Sequence, residues 1–293
     1  MTSCRHILVR RVCALRPNLS VPSITSFFNP QKFDTMILAF TLIVTLFSTP
    51  VLPDAAAIME AHRQATAVQD LTGQLTYTNI SKSGRKQTRT LQQYILRTDK
   101  GDYTYNLLLE FTDPQDVAGT ATLTIQQERK DDEQWLYLPA LRMSKRISPS
   151  KKSDRFMGTE ITYEDLSGHL SEPIDDYQYT LLGEETINGR SAYKLEALPR
   201  EGLRTQYGKR LLWIDQATHL MVQTRFYGHK GEHLKTYTAT DIRPVGSGGH
   251  HRAHQIKMEN VQTGNTTKVQ YSGFAINAGV DAAIFSTTWM ETR

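Results

Sequence analysis

From residue 70 onward the chain runs in short segments rich in Thr, Tyr, Val and Leu, with turn residues about every ten to twelve positions. This pattern constrains the fold more than any other feature. β-branched and aromatic residues alternating with polar ones, bounded by Gly, Asn, Asp and Ser, specify antiparallel strands. Eleven or twelve such segments can be marked, near 71–80, 88–97, 103–111, 120–128, 134–138, 177–187, 190–198, 206–215, 219–227, 234–243, 255–262 and 267–275. Ser83-Gly84 separates the first two. Asn188-Gly189 is the strongest hairpin signal, because both residues tolerate the positive φ of a tight turn. Three faces read cleanly: Tyr103, Tyr105, Leu107, Leu109 and Phe111; Tyr177, Tyr179, Leu181 and Ile187; Leu220, Val222 and Phe226. One apolar and one polar face predict a sheet covered on one side only. So many consecutive strands must curl, and the expected fold is mainly β: a half-open, strongly curved antiparallel barrel of about 11 strands. An outer-membrane barrel shares the alternation, but the long 139–176 insert and an N-terminal helix fit it poorly.

That helix opens at Asp54 in DAAAIMEAHRQATAVQD, with Asp as N-cap and Ile58, His62 and Ala65 on one face. The 139–176 insert passes through the basic section RMSKRISPSKKSDR to Phe156-Met157-Gly158, then to a short helix around residues 163–166. Long inserts on a β scaffold often carry function. Gly246-Ser247-Gly248-Gly249 reads as a hairpin loop, and VDAAIFSTTWM as a last short helix.

Residues 1–53 read as a leader. The apolar run MILAFTLIVTLF (36–47) is followed by Pro50 and Pro53, then small residues, which is the order of a secretory signal. Cleavage is preferred over an uncleaved anchor because the prolines shorten the usable helix. Residues 1–35 hold five basic residues and one acidic; the rest of the chain holds 29 of each sign. The net charge of +4 therefore belongs to the leader. A neutral body argues against nucleic-acid binding. Cys4 and Cys13 are the only cysteines, so the body can form neither a disulfide nor a thiolate metal site.

The recognised catalytic signatures are missing: no Gly-x-Ser-x-Gly elbow, no His-Glu-x-x-His pair, no phosphate-binding glycine loop. His229, His233, His250, His251 and His254 cluster in sequence, but the glycines around them offer no rigid support for a metal. Asp131, Asp132 and Glu133 read as a solvated turn. The expectation is a non-enzyme without cofactor or metal. Arg142, Lys145, Arg146, Lys151, Lys152 and Arg155 concentrate positive charge in a neutral domain, as a headgroup or partner contact would.

Several motifs in this stretch resemble a known pattern: Glu133-Gln134-Trp135-Leu136-Tyr137-Leu138-Pro139-Ala140-Leu141, Lys145-Arg146-Ile147, Phe156-Met157-Gly158-Thr159 and Tyr163-Glu164-Asp165-Leu166. The pattern is similar to that of outer-membrane lipoprotein-sorting proteins, relatives in fold of the periplasmic lipoprotein carrier LolA. The resemblance covers nearly all of 54–293, including the Ile58-Met59 helix, the Asn188-Gly189 hairpin and the 285–290 segment. It implies a single lipid-binding domain over 54–293, with helices closing the mouth of a barrel whose apolar face holds acyl chains. It also implies carriage of lipid or acylated lipoprotein in the periplasm of a Gram-negative bacterium, with association with inner-membrane exporters. Expected lipid contacts are Trp135, Leu136, Tyr137, Phe156, Met157, Tyr163, Leu166, Trp213, Met221 and Phe226. A transient membrane-surface contact and a monomeric state are expected. The alternative is a non-enzymatic envelope module that docks on an exporter with its pocket collapsed; a third reading, a hydrolase, would need a buried carboxylate–histidine pair at the cavity mouth.

Overall fold

A computed structural model describes residues 53–98, 103–127, 130–171 and 173–292. The leader, its apolar run and both cysteines lie outside the described residues.

The first meander comprises β1 (Asp70–Ile80), β2 (Lys86–Arg97), β3 (Tyr105–Asp113), β4 (Ala121–Ile125), β5 (Glu133–Leu138) and β6 (Met143–Ile147). The second comprises β7 (Tyr177–Ile187), β8 (Arg190–Pro199), β9 (Lys209–Asp215), β10 (Met221–Tyr227), β11 (His233–Val245), β12 (His250–Asn260) and β13 (Thr266–Ile276). Pairing of β1 with β13 joins the two into one antiparallel sheet, ordered β6-β5-β4-β3-β2-β1-β13-β12-β11-β10-β9-β8-β7. Helices α1 (Ala55–Thr66), α2 (Tyr163–Leu170) and α3 (Thr287–Thr292) complete the fold.

The mainly β, antiparallel expectation holds, but the barrel is corrected. The sheet has thirteen strands, not about eleven, and its ends β6 and β7 do not pair, so it is one open sheet and not a half-open, strongly curved barrel. The added strand, β6, lies in the basic section that reads as part of the insert. It hides from pattern reading because its sequence, MSKRI, carries charge instead of alternation, as edge strands commonly do.

One-sided cover is also corrected. On one face Leu107, Leu109 and Phe111 of β3 meet Leu75, Tyr77, Leu91, Ile256 and Val269, roofed by Phe156 and Tyr163. On the other, Leu108, Ala121, Leu123 and Tyr137 pack under Phe285 and Met290. We call these the α2 face and the α3 face.

Two bulges change which side chains share a face. The register shifts between Leu181 and Gly183, so Tyr177, Tyr179 and Leu181 join one cluster while Ile187 joins another with Trp213. A second shift between Met221 and Gln223 sends Val222 to Trp213 and leaves Phe226 on Tyr207. An extra residue inverts the parity of everything after it, so the two sequence-read faces do not survive.

Helix α1 lies across the strands. Ile58 and Met59 pack with Tyr177, Leu195, Leu212 and Ile214, on β7 to β9. Arg252 of β12 donates to the carbonyls of Ala65 (3.3 Å) and Thr66 (2.9 Å) at the other end. Asp54 stands at the N-cap, though its side chain makes no capping hydrogen bond. Among the described residues no helix is long and apolar enough to cross a membrane.

Before β9, Gly208 touches the next turn: a Cβ there would lie 2.8 Å from the Gly228 carbonyl oxygen and 2.8 Å from the His229 Cα. Backbone cannot yield as a side chain can. Gly208→Ala is therefore expected to destabilise the fold by about 1–3 kcal/mol, an overpacking cost. Urea unfolding measures it, and an unchanged midpoint would refute the close approach.

Candidate functional site

The insert from residue 154 to 171 lies on the α2 face and covers its apolar cluster. It begins with a tight turn, Phe156–Gly158, in which Met157 takes a left-handed φ of 46°. That turn drives Phe156 into the core, stacked on Phe111 (6.1 Å between centroids) and edge-on to Tyr163 (5.8 Å). A capping box then starts α2: the Thr162 hydroxyl accepts from Asp165 N, and Asp165 Oδ2 accepts from Thr162 N.

Polar contacts fasten this cover at several points. Gln126 Nε2 donates to the carbonyls of Ser167 (3.1 Å) and Ser171 (3.0 Å). Glu160, buried, accepts from Arg155 Nη1 (2.8 Å) and Asn260 Nδ2 (2.7 Å). Asp165 pairs with Lys235 of β11 and accepts from the Tyr207 hydroxyl (2.6 Å). The Asp165 and Lys235 side chains are only 7% and 5% exposed. Burial, and then Asp165 itself, push the Tyr207 hydroxyl well above the ordinary tyrosine pKa, so it stays protonated and donates.

Between α1 and α2 lies a cavity of about 60 Å³, lined by Met59, His62, Arg63, Thr66, Tyr103, Tyr105, Gly168, His169, Leu170, Ser171, Ile174 and Met221. His62 Nδ1 is 2.8 Å from the His219 carbonyl. Burial lowers the His62 pKa. The His169 ring is exposed on one side, while the protein packed on its other side, and next His62 and Arg252, hold its pKa down to about 4. Arg252, burdened by burial, is lowered to about 10.

The sign of the pH dependence follows. Both histidines titrate lower in the folded state than at their ordinary 6.5, so the unfolded chain takes up protons first as pH falls. Their stabilising contribution is complete above pH 6.5 and is lost between 6.5 and about 4. Urea midpoints should fall over that window, and His169→Gln should flatten the fall. A midpoint equal at pH 7 and pH 4.5 would refute the assignment.

The structure does not bring the ten expected lipid contacts together. Phe156, Met157, Tyr163 and Leu166 share the α2-face cluster. Leu136 shares a face with Gln134, whose amide donates to the Tyr163 carbonyl (3.3 Å). Met221 lines the cavity, and Phe226 packs on Tyr207 with ring centroids 4.7 Å apart. Trp135 and Tyr137 belong to the α3-face cluster under Phe285 and Met290. Trp213 is buried with Ala192 and Val222, away from α2, its indole N–H on Glu185 (2.8 Å).

The six expected cations are spread from the turn before β6, along the strand and into the turns after it. Arg146 faces Glu133 at 3.8 Å and the Trp135 ring, Lys152 donates to the Arg204 carbonyl, and Arg155 is paired with Glu160. Arg142, Lys145 and Lys151 are exposed. Beside them Leu141 and Met143 are 55% and 44% exposed.

Among the described residues no three His, Cys, Asp or Glu side chains are grouped to hold a metal. The clustered histidines have separate neighbours: His229 the Thr205 carbonyl, His233 the Tyr227 ring, His254 the Phe274 ring. Asp165 only partly opposes the lowering of the His169 pKa, and its oxygens are taken by Lys235, Tyr207 and Thr162.

Sequence reading missed Glu160, Arg252, Tyr207 and Lys235. Only Thr162-x-x-Asp165 carried a local signal, as a capping-box spacing. The others look like ordinary polar positions until their partners arrive.

A protein-family model described as "uncharacterized protein" matches residues 104–292. No curated protein matches the chain. Solved structures do. A domain from Vibrio parahaemolyticus, named for outer membrane lipoprotein sorting, is 31% identical, with a TM-score of 0.74 over 81% of this chain and 98% of that one. A DUF1329 family protein from Desulfovibrio piger is 26% identical, with a TM-score of 0.76 over 80% and 97%. A LolA superfamily protein from Nitrosomonas europaea is 21% identical, with a TM-score of 0.61 over 81% and 99%, which bears on fold alone. Given the identity to the Vibrio domain along almost its whole length, this chain belongs to the outer membrane lipoprotein-sorting protein family and has a LolA-like fold.

Proposed function

We propose that this protein is a non-enzymatic carrier of lipid or acylated lipoprotein in the Gram-negative cell envelope, exported through its leader and working in the periplasm as a monomer. The observation that carries the reading is the cover itself. The α2-face cluster is roofed by one short insert, fastened through side-chain contacts at Gln126, Glu160 and Asp165, and not by a second sheet. Such a roof can be lifted as a unit. The 60 Å³ cavity is far below the ~300–1,000 Å³ of a ligand pocket, so an acyl chain held on this face must displace α2 and curve the sheet around itself. Each buried methylene then contributes about 0.8 kcal/mol, enough for reversible holding by one chain. Phe156, Met157, Tyr163, Leu166, Met221, Phe226 and Leu136 would meet the chain. Leu141 and Met143 beside Arg142, Lys145 and Lys151 suit a transient contact with an anionic membrane surface or an exporter.

The small cavity also favours a second reading, an accessory that docks on an inner-membrane exporter and never opens. Native mass spectrometry of the protein purified from the envelope, with lipid extraction of the same sample, separates the two. A co-purifying lipid or acylated peptide of defined mass is expected. A clean apo mass, unchanged after incubation with envelope lipids, would leave the docking module.

A further inference from the structure

We propose that the cavity between α1 and α2 seats the anionic head of an amphiphile, a carboxylate or phosphate monoester, with Arg63 as its direct partner. The inference rests on the carrier reading and names the class of cargo. Four observations carry it.

First, the lining divides chemically. His62, Arg63, Thr66, Tyr103, His169 and Ser171 supply polar groups, while Met59, Leu170, Ile174 and Met221 supply an apolar exit. Among the described residues no carboxylate lines it, although Glu60 pairs with the far edge of Arg63, and Asp165 is spent on Lys235 and Tyr207.

Second, the Arg63 Nε–H is buried without an acceptor. Its Nη2 is held by Glu60 at 2.5 Å, which leaves the Nε edge for a ligand. A buried donor without a partner costs free energy that a ligand oxygen would recover.

Third, the charge of Arg252 lies behind the cavity. Arg252 donates to the carbonyls of Ala65, Thr66 and His251, and among the described residues it forms no ion pair. Arg97 joins Arg63 over the Tyr103 ring, 4.7 Å and 4.2 Å from its centroid. Tyr103 is held there at a φ of 58°, a conformation bulky residues seldom adopt.

Fourth, the size suits a head and not a chain. A volume of 60 Å³ has room for a small polar group and not for an acyl chain. The apolar chain must leave past Leu170, which lines the cavity and packs on the α2-face cluster.

Calorimetric titration of the full chain tests this, with ligands kept below their micelle concentrations. The probes are laurate, dodecyl phosphate, dodecanol, acetate and inorganic phosphate. Laurate or dodecyl phosphate is expected to bind about tenfold more tightly than dodecanol, the worth of one charge-assisted hydrogen bond. Acetate and phosphate should not compete. Arg63→Gln should erase the preference, bringing laurate and dodecyl phosphate to the affinity of dodecanol. Equal affinity of all three twelve-carbon ligands would overturn the anion seat and leave the carrier reading standing. Inorganic phosphate binding as tightly as dodecyl phosphate would overturn it in favour of a free-anion site. Failure of every twelve-carbon ligand would overturn the carrier reading, and this inference with it. The wild-type comparison decides among these even if the variant does not fold.

Discussion

Asp165→Ala is expected to cost about 3–5 kcal/mol of stability, the penalty for leaving a buried charge without its partner. The Lys235 ammonium would remain beneath the rings of Tyr207 and Phe226, 5.3 Å from each centroid, in a site where its side chain is 5% exposed. Removing the carboxylate also takes the acceptor from the Tyr207 hydroxyl (2.6 Å), from Thr162 N (2.7 Å) and from the Thr162 hydroxyl (2.8 Å). At about 2–4 °C per kcal/mol for a domain of this size, the midpoint of thermal unfolding should fall by roughly 10 °C. Asp165→Ala with Lys235→Met should recover much of the loss, because both charges then leave together. The cycle has a functional face as well. If this pair fastens the cover, amide exchange in α2 should speed up in Asp165→Ala more than exchange in β8 or β9. A single variant within 1 kcal/mol of wild type, or uniform exchange across the fold, would show that the pair does not hold the cover.

Phe156→Ala is expected to move stability and binding in opposite directions. Phe156 is nearly fully buried and joins the cover to Phe111 and Tyr163. Truncating a buried phenylalanine costs about 3–5 kcal/mol, the lost transfer energy plus the void. That void opens beneath the cover, on the face proposed to take acyl chains. The folded fraction should therefore bind an apolar dye more tightly than wild type, and the dye should restore part of the lost stability. Trp213→Ala is the control. It removes an equally buried aromatic on the opposite side of β9, where a void gives no access beneath α2. Dye binding that rises equally in both variants would report general loosening and would count against a lid.

Period-two alternation, Asn188-Gly189 and Ser83-Gly84 were enough to place twelve of the thirteen strands close to their positions, because strand and turn are local consequences of side-chain shape and backbone φ. The helix at 55–66, the short helix from Tyr163 and the last helix near 287 were legible for the same reason. Which side chains face one another was not. The bulges at Gly183 and beyond Met221 each insert one residue, and parity inverts after them; Ile187 and Val222 thus left their sequence-read faces. The position of Trp135 and Tyr137 under α3 depended on a segment some 150 residues later folding back over the sheet. The charges behave likewise. In the sequence Asp165 and Lys235 are unremarkable polar residues 70 positions apart; only the docking of α2 onto β11 makes them a buried pair. Local chemistry determined the strands, turns and helix starts. Tertiary structure alone decided faces, cavity and buried charges, because each depends on what a distant part of the chain brings to the same place.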